Sequence, residues 1–204
     1  MSRQPDKPWK IYWGDVEGGA WHEIPGPPEN QCDPNWSPDG QTILFGMPPE
    51  FTAEPNVERY LYRFDLRTGK TAKIQGTAGL FSPRWSPDGR HLAALSPDSR
   101  RLMLFDFSSQ QWSVWLHAED GTIGYPVWAK DGMSIYIERF HSAEPSVHRL
   151  KLGESKSELF LSWKDLRRFG GVWGTWSGVA PDGSVLAVRD VSSHEVYALE
   201  LQVP

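Results

Sequence analysis

The sequence predicts an all-β fold, a β-propeller of four-stranded antiparallel blades with about four to five blade units visible. The first observation is a repeated motif, Pro-x-Trp-Ser-Pro-Asp-Gly. Copies of varying similarity occur at 34–40, 83–89, 126–132 and 176–183. Their aspartates stand at positions 39, 88, 131 and 182, which gives spacings of 49, 43 and 51 residues. The second observation is that short apolar runs, separated by turn residues, follow each copy. Recurrence at this period is typical of stacked supersecondary units.

The Ser-Pro-Asp-Gly part of the motif predicts a tight turn between the first and second strands of each unit. A type I turn favours serine, proline and glycine at its first, second and fourth positions, and 37–40 has all three. The apolar runs that follow predict a second strand buried on both faces, as expected where sheets stack on each other. These runs are 42–45, 91–95, 134–137 and 185–188.

Two further strands complete each of the first three predicted units, and the last unit has a third strand only. Third strands are predicted at 60–66, 102–107, 147–152 and 196–201, and shorter fourth strands at 71–74, 112–116 and 158–161. A β-sandwich also has many short strands, but it does not reuse one turn sequence at each unit boundary, so the propeller is favoured. The tryptophan of each motif is interpreted as a packing residue between blades, with a functional aromatic rim as the alternative.

The two ends of the chain predict an incomplete array. The predicted units are a coil at 1–9, a half-blade at 10–31, blades at 32–76, 77–121 and 122–161, and an insertion with the last blade at 162–204. Either the N-terminal hairpin closes a small ring with the last blade by strand exchange, or the chain is part of a larger propeller. Open blade faces expose apolar area. We therefore expect ring closure, homo-oligomerisation through open blade edges, or a fragment with a partial propeller.

Two segments depart from the repeat. Residues 48–56 lengthen a loop of the first unit, and 162–171 precede the fourth copy of the motif. In the second segment, Ser162 can cap a short helix over 163–169 that Gly170 would end. Loops on a rigid scaffold often carry function, so both segments are candidate binding surfaces. The alternative is that they only fill space between blades.

Composition limits the class of protein. With 39% hydrophobic and 23% charged residues, the chain has the content of a globular protein. Its net charge of -5 argues against broad nucleic-acid binding, and the basic patch of Lys164, Arg167 and Arg168 is too small to predict it. No apolar run is long enough for a membrane helix, and no secretory signal is apparent. We expect a cytoplasmic protein, or a periplasmic one if the chain belongs to a longer parent.

Residue patterns of known catalytic and metal sites are missing from the sequence. The single cysteine, Cys32, excludes an intrachain disulfide and a cysteine-based zinc cluster. No Gly-x-Ser-x-Gly motif of α/β-hydrolases is found. A site in a central channel needs converging carboxylates or histidines, whereas the first strands carry Asn35, Arg84 and Val127 between proline and tryptophan. We expect no cofactor, no metal and no catalytic activity of the chain itself.

The repeated motif, with the apolar strand after it and a second aromatic strand ending in Asp-Leu, resembles the TolB-type, WD-repeat-like propellers of bacteria. The resemblance extends over about residues 10–201. It is specific for the repeat and implies the propeller fold. Related propellers accompany a hydrolase domain in prolyl-oligopeptidase-like enzymes, and the motif of that domain does not occur in this sequence.

A second resemblance is narrower. Segments 9–12, 79–89, 164–168 and 195–199 look like the C-terminal end of propeller sensor regions in acidobacterial-type proteins. In that family the propeller follows a winged-helix DNA-binding domain or a protein-kinase domain. Neither domain occurs in this sequence, so DNA binding and kinase activity do not carry over.

These observations predict a non-catalytic propeller that acts as a protein-interaction or sensing module, with a protein or peptide as its partner. The narrower resemblance implies the sensor part of a bacterial signalling or transcription-regulatory system. The alternative is the accessory propeller of a larger enzyme, a peptidase or a protein kinase, whose catalytic domain lies outside this chain. Candidate partner-binding residues are Arg84, Tyr125, Arg167, Arg168 and Trp173.

Overall fold

A computed structural model describes residues 7–47, 58–171, 174–180 and 182–193. The strands are β1 Tyr12–Trp13, β2 His22–Glu23, β3 Cys32–Trp36, β4 Thr42–Gly46, β5 Tyr62–Asp65, β6 Lys70–Lys73, β7 Phe81–Trp85, β8 His91–Leu95, β9 Arg101–Asp106, β10 Gln111–His117, β11 Thr122–Trp128, β12 Ser134–Phe140, β13 Ser146–Lys151, β14 Glu158–Ser162, β15 Gly170–Gly171, β16 Gly174–Thr175, β17 Ser177–Val179 and β18 Val185–Ala187. These residues contain no helix, and hence none long and apolar enough to cross a bilayer. The predicted all-β class is confirmed.

Three four-stranded antiparallel sheets form the body of the molecule. Each is a meander in chain order, β3 to β6, β7 to β10 and β11 to β14. The second strand of each sheet is buried, and Ile135, Tyr136 and Ile137 of β12 are examples. The fourth strands lie on the outside, and all five residues of β14 are exposed. The continuous apolar runs of the sequence thus correspond to strands covered on both faces, as predicted.

The predicted turn is present, with its own set of hydrogen bonds, after the first strand of the first sheet. The amide of Gly40 donates to the Ser37 carbonyl at 2.9 Å, and its φ of 67° lies in the left-handed region that glycine adopts readily. The Ser37 hydroxyl donates to Asp39 Oδ1 at 2.5 Å and accepts from the Thr42 amide at 2.9 Å. The turn at 86–89 repeats these contacts in the second sheet. The motif is therefore part of the scaffold.

A further copy of this turn is not among the predicted ones. Ser96, Pro97, Asp98 and Ser99 connect β8 to β9. The Ser96 hydroxyl donates to Asp98 Oδ1 at 2.5 Å and accepts from the Arg101 amide at 2.9 Å. Ser99 takes the place of the glycine with a φ of 54°. The Ser-Pro-Asp sequence alone was a sufficient signal for this turn.

The sheets stack on one another, with their first strands adjacent. β7 contacts β3 and β4 on one side and β11 on the other, and β11 in turn contacts β17. Apolar clusters fill the junctions between sheets. Leu44 and Leu61 of the first sheet meet Leu92 of the second, and Leu102 of the second meets Ile135 of the third. Meander sheets stacked in this way are propeller blades, so the predicted fold class is confirmed.

The predicted N-terminal hairpin is present as β1 and β2 and packs on the first four-stranded sheet. Ile11 and Ile24, which flank the two strands, share one buried cluster with Ile43 and Phe45. The buried side chain of Gln31 accepts from the Ile11 amide at 3.1 Å and donates to the Ile24 carbonyl at 3.2 Å. The hairpin therefore covers the outer face of the first sheet in the position of a preceding blade.

The fourth repeat is described in part. Its first two strands, β17 and β18, form a two-stranded sheet that is separate from the sheet of β1 and β2. The predicted third strand at 196–201 and the first insertion at 48–56 lie outside the described residues. Closure of a ring by the N-terminal hairpin and the predicted blade boundaries therefore stay predictions.

The predicted helix over 163–169 is wrong. Trp163 is buried, and its ring centroid lies 4.6 Å from the guanidinium carbon of Arg168. The Leu166 amide donates to the Trp163 carbonyl at 3.0 Å, which makes a single turn. Arg168 then forms an antiparallel bridge with Arg189. A helix of seven residues is marginal on its own, and the burial of Trp163 together with this long-range pairing favours a turn followed by extended chain.

Candidate functional site

A bulge interrupts the first strand of each four-stranded sheet at the residue before the motif proline. Asp33, Ser82 and Tyr125 have φ angles of 58°, 53° and 46°, and the pairing register shifts at each of them. A residue before proline normally adopts an extended conformation. Bulges change the direction of side chains relative to the regular alternation. Successive first strands contact one another from sheet to sheet. In a propeller the blades surround a central channel, so we expect the three bulges to modify the surface near that channel.

The predicted site residue Arg84 joins the first and second sheets. Its guanidinium donates to Asp33 Oδ1 at 2.6 Å and to the Pro83 carbonyl at 2.8 Å. Across the same junction, the side-chain oxygen of Asn35 accepts from the Trp85 amide at 2.7 Å. The side chains of Arg84 and Asp33 remain 18% and 27% exposed, so a partner can still reach this pair. Sequence reasoning missed Asp33, and its place directly before the motif proline was the available signal.

The motif tryptophans do not share one role. Trp128 is buried and donates from Nε1 to the Arg84 carbonyl at 3.0 Å, so it packs between the second and third sheets. Trp85 stacks on Phe107 with ring centroids 5.3 Å apart, beside the cluster between the first and second sheets. Trp36 is 48% exposed. Packing between blades is therefore confirmed at Trp128 and is not observed at Trp36.

In the fourth repeat an inserted hairpin replaces the bulge. Residues 167–169 pair with 188–190, which directly follow β18. β17 pairs with β18 itself, so 167–169 and β17 are the two halves of one interrupted first strand. In the first sheet only residues 33 and 34 separate the corresponding halves. In the fourth repeat the separating segment contains β15 and β16. The predicted site residue Trp173 belongs to this segment and lies outside the described residues.

A buried ion pair lies at the junction of the third and fourth repeats. Arg168 Nη1 is 2.5 Å from Glu138 Oε1, and the two side chains are 7% and 1% exposed. The Ser177 hydroxyl donates to the second carboxylate oxygen of Glu138, and Arg168 also donates to the Thr175 hydroxyl. Burial raises the pKa of Glu138 above its ordinary value, against the lowering by Ser177 and Arg168. This network ties β12 to both sides of the inserted hairpin.

The remaining predicted site residues are Arg167 and Tyr125. Arg167 Nε lies 2.9 Å from Asp190 Oδ2, and 55% of the arginine side chain is exposed. Tyr125 packs edge-on against Phe140 with ring centroids 5.6 Å apart. The structure brings Arg167 and Arg168 together beside the fourth repeat, whereas Tyr125 lies on the first strand of the third sheet. Partner binding by the predicted residues stays a prediction.

Two of the junctions between sheets bring together charges of opposite sign that are hydrogen-bonded to each other. At two junctions an arginine neutralises a carboxylate, in the pairs Asp33–Arg84 and Glu138–Arg168. Such pairs orient neighbouring blades and leave polar groups near the surface at the first of them. Across the described ranges, no three His, Cys, Asp or Glu side chains are grouped so that they could hold a metal ion.

Two curated proteins are similar to this chain in sequence. Dipeptidyl-peptidase 5 of Porphyromonas gingivalis is 28% identical over 156 residues, which cover 70% of this chain and 22% of that protein. The Tol-Pal system protein TolB of Alcanivorax borkumensis is 31% identical over 93 residues, which cover 45% of this chain and 20% of that protein. No family model matches the chain. The chain thus spans about a fifth of the length of these relatives.

A solved structure extends the similarity over most of the chain. The crystal structure of TolB from Acinetobacter baumannii matches 91% of this chain and 44% of its own length, with a TM-score of 0.66 and 19% identity. At that identity the match concerns the fold alone, and the fold is a TolB-like β-propeller. The resemblance to TolB-type propellers is confirmed at this level. The narrower resemblance to the sensor regions of regulators or kinases stays a prediction.

Proposed function

We propose that this chain belongs to a TolB-like propeller that acts as a non-catalytic protein-interaction module. The observation that carries the proposal is the Asp33–Arg84 pair, which holds two stacked blades together and is still reachable from solvent at a bulge of the first strand. Rigid scaffolds commonly present binding groups in this way. One relative is by its name a component of the Tol-Pal system, which supports a protein as the partner.

The carboxylates at the first and third junctions favour a role in joining blades over a role as general bases. A general base needs a carboxylate that can take up a proton from a substrate. Asp33 and Glu138 are each engaged by an arginine, at 2.6 Å and 2.5 Å. We therefore assign both carboxylates to the joining of blades.

Binding and turnover measured on the same preparation test this proposal. The full chain is screened against a peptide array. In a second experiment the chain is immobilised, and cross-links between it and a captured protein are mapped by mass spectrometry. We expect saturable binding of a protein or peptide, and weaker binding after Arg84→Ala. Absence of any partner, together with robust turnover of a peptidase or polysaccharide substrate, would contradict the proposal.

A second candidate function is the accessory propeller of a larger enzyme. It is favoured by the similarity to a protein named as a dipeptidyl-peptidase, which covers 70% of this chain. The coding sequence on either side of this chain separates the two candidates. An in-frame peptidase or kinase domain supports the accessory propeller. An in-frame winged-helix domain supports the finer proposal of a sensor in a signalling or transcription-regulatory system.

A further inference from the structure

The motif turns of neighbouring blades pack on each other at the first two junctions. Pro38 Cγ lies 3.9 Å from the point where a side chain on Gly89 would begin. Pro87 Cδ lies 3.7 Å from the equivalent point on Gly132. At both junctions, then, the proline of one turn covers the glycine of the next turn and fills the space between them.

The third junction lacks this contact. Lys130 stands at the position of the two prolines, and no atom of the described residues lies within 4 Å of the equivalent point on Gly183. A cavity of about 760 Å³ lies between the two turns, with Trp128, Tyr136 and Val179 among the residues that line it. We call it the third-junction groove. Its volume is within the range of about 300–1,000 Å³ that ligand sites have in proteins.

Charged side chains line the same groove. They are Lys130, Asp131 and Asp182. Within the described residues, neither aspartate takes part in an ion pair. Each accepts a hydrogen bond from a backbone amide, Asp131 from Met133 and Asp182 from Ser184, both at 2.9 Å. The groove thus combines an aromatic and aliphatic wall with one ammonium group and two carboxylates that lie outside the ion pairs of the described residues, an excess of one negative charge.

We propose that the third-junction groove binds a protein segment in which an arginine stands next to a large apolar side chain. Trp128, Tyr136 and Val179 offer apolar surface for that side chain and for the aliphatic stem of the arginine. Asp131 and Asp182 offer oxygen acceptors for its guanidinium, which pairs with carboxylates in a fixed planar geometry. The proposal rests on the proposed protein-binding function and adds to it a second contact site, at the third junction, with a stated partner chemistry.

Calorimetric titration of the full chain with two capped peptides tests the proposal. The first peptide is Gly-Ser-Phe-Arg-Ser-Gly, and the second has glutamate in place of arginine. We expect the arginine peptide to bind at least about tenfold more tightly than the glutamate peptide, which is the factor that about 1.4 kcal/mol of charge preference gives. Failure of the arginine peptide to bind, or equal binding of both peptides, overturns the proposal.

Two variants locate the binding. The double variant Asp131→Asn/Asp182→Asn keeps an oxygen for each turn hydrogen bond and removes both charges, and we expect at least about a tenfold loss of affinity. The matched control is Asp39→Asn/Asp88→Asn, which makes the same changes in the two closed junctions and should bind like the natural chain. Equal affinities of the two double variants overturn the proposal.

A third variant closes the groove. Lys130→Pro restores the residue that packs on glycine at the other junctions, and the second position of a type I turn favours proline. We expect loss of peptide binding with an unchanged or higher thermal midpoint. If a protein partner found by cross-linking binds Lys130→Pro with the same affinity as the natural chain, the proposed groove site is wrong while the proposed function stands. If neither peptide nor protein partner binds the natural chain, both are wrong.

Discussion

Two junctions between blades are joined by an arginine and a carboxylate, yet they differ in their exposure to water. At the first junction, the side chains of Arg84 and Asp33 are 18% and 27% exposed. At the third junction, those of Arg168 and Glu138 are 7% and 1% exposed. The first junction also has the proline-to-glycine contact between turns, which the third lacks. The same type of ion pair is therefore partly exposed to water at the first junction and buried at the third.

The difference in burial decides what each pair does for stability. A pair that water still reaches contributes less than a buried pair, down to about 0–1 kcal/mol at the surface, because water solvates both charges without it. Formation of a buried pair adds little to the free energy of unfolding, but removal of one partner leaves an uncompensated charge in the interior. At the third junction Glu138 and Arg168 therefore each depend on the presence of the other, whereas Asp33 and Arg84 add to a junction that also has an apolar cluster.

The largest expected effect is that of Arg168→Met. Glu138 would then remain buried without its counter-charge, so we expect a loss of about 3–5 kcal/mol in the free energy of unfolding. Arg84→Met, the matched change at the first junction, should cost about 1 kcal/mol. Urea unfolding followed by tryptophan fluorescence measures both variants. Equal losses at the two junctions would remove the distinction between them.

A smaller effect is expected at the second junction, which has no such ion pair among the described residues. Trp128→Phe removes the hydrogen bond from Nε1 to the Arg84 carbonyl and part of a buried ring. We expect a loss of about 2 kcal/mol, because an acceptor loses its partner in a mostly buried place. A loss below that of Arg84→Met would show that this junction depends on other contacts.

The motif turns of the second and third repeats differ in their first residue. The buried hydroxyl of Ser86 accepts from the His91 amide at 2.9 Å and donates to Asp88 at 2.6 Å. Ser86→Ala should therefore cost about 1 kcal/mol in the free energy of unfolding. The third repeat has Ala129 at this position. Ala129→Ser should be neutral or stabilising by about 0.5 kcal/mol, and thermal unfolding of the two variants checks the opposite signs.

The pH dependence of stability also tests the buried pair of the third junction. Burial raises the pKa of Glu138 above its ordinary value of 4.5. A raised carboxyl pKa gives stability that is present below the unfolded-state pKa and is lost as the pH rises through the folded-state pKa. Without Arg168 the charged form is still less favourable, so the loss in Arg168→Met should shrink as the pH is lowered toward about 4. Urea unfolding of the natural chain and this variant from about pH 4 to about pH 7 measures it, and a constant difference would contradict the account.

Strands and turns could be predicted because their causes are local in sequence. Ser37, Asp39 and Gly40 determine their turn through hydrogen bonds that reach no further than residue 42. The apolar runs that became β4, β8 and β12 likewise show their burial in the sequence. Repetition then indicated how such units stack.

The junctions could not be predicted, because their partners are distant in sequence. Arg84 and Asp33 are 51 residues apart, and Arg168 and Glu138 are 30 residues apart. Which residues meet depends on the stacking of sheets and on the inserted hairpin. The wrong helix over 163–169 has the same cause, since its local propensity was outweighed by pairing with Arg189.

A pair of double-mutant cycles tests the central claim, that the ion pair of the third junction is integral to it and that of the first is not. The first cycle combines Glu138→Gln with Arg168→Met, and the second combines Asp33→Asn with Arg84→Met. Each uses the free energy of unfolding of the natural chain, both single variants and the double variant. We predict a coupling energy of about 2 kcal/mol or more for the first cycle and below about 1 kcal/mol for the second. Coupling energies that are equal, or larger for Asp33 and Arg84, would contradict the account.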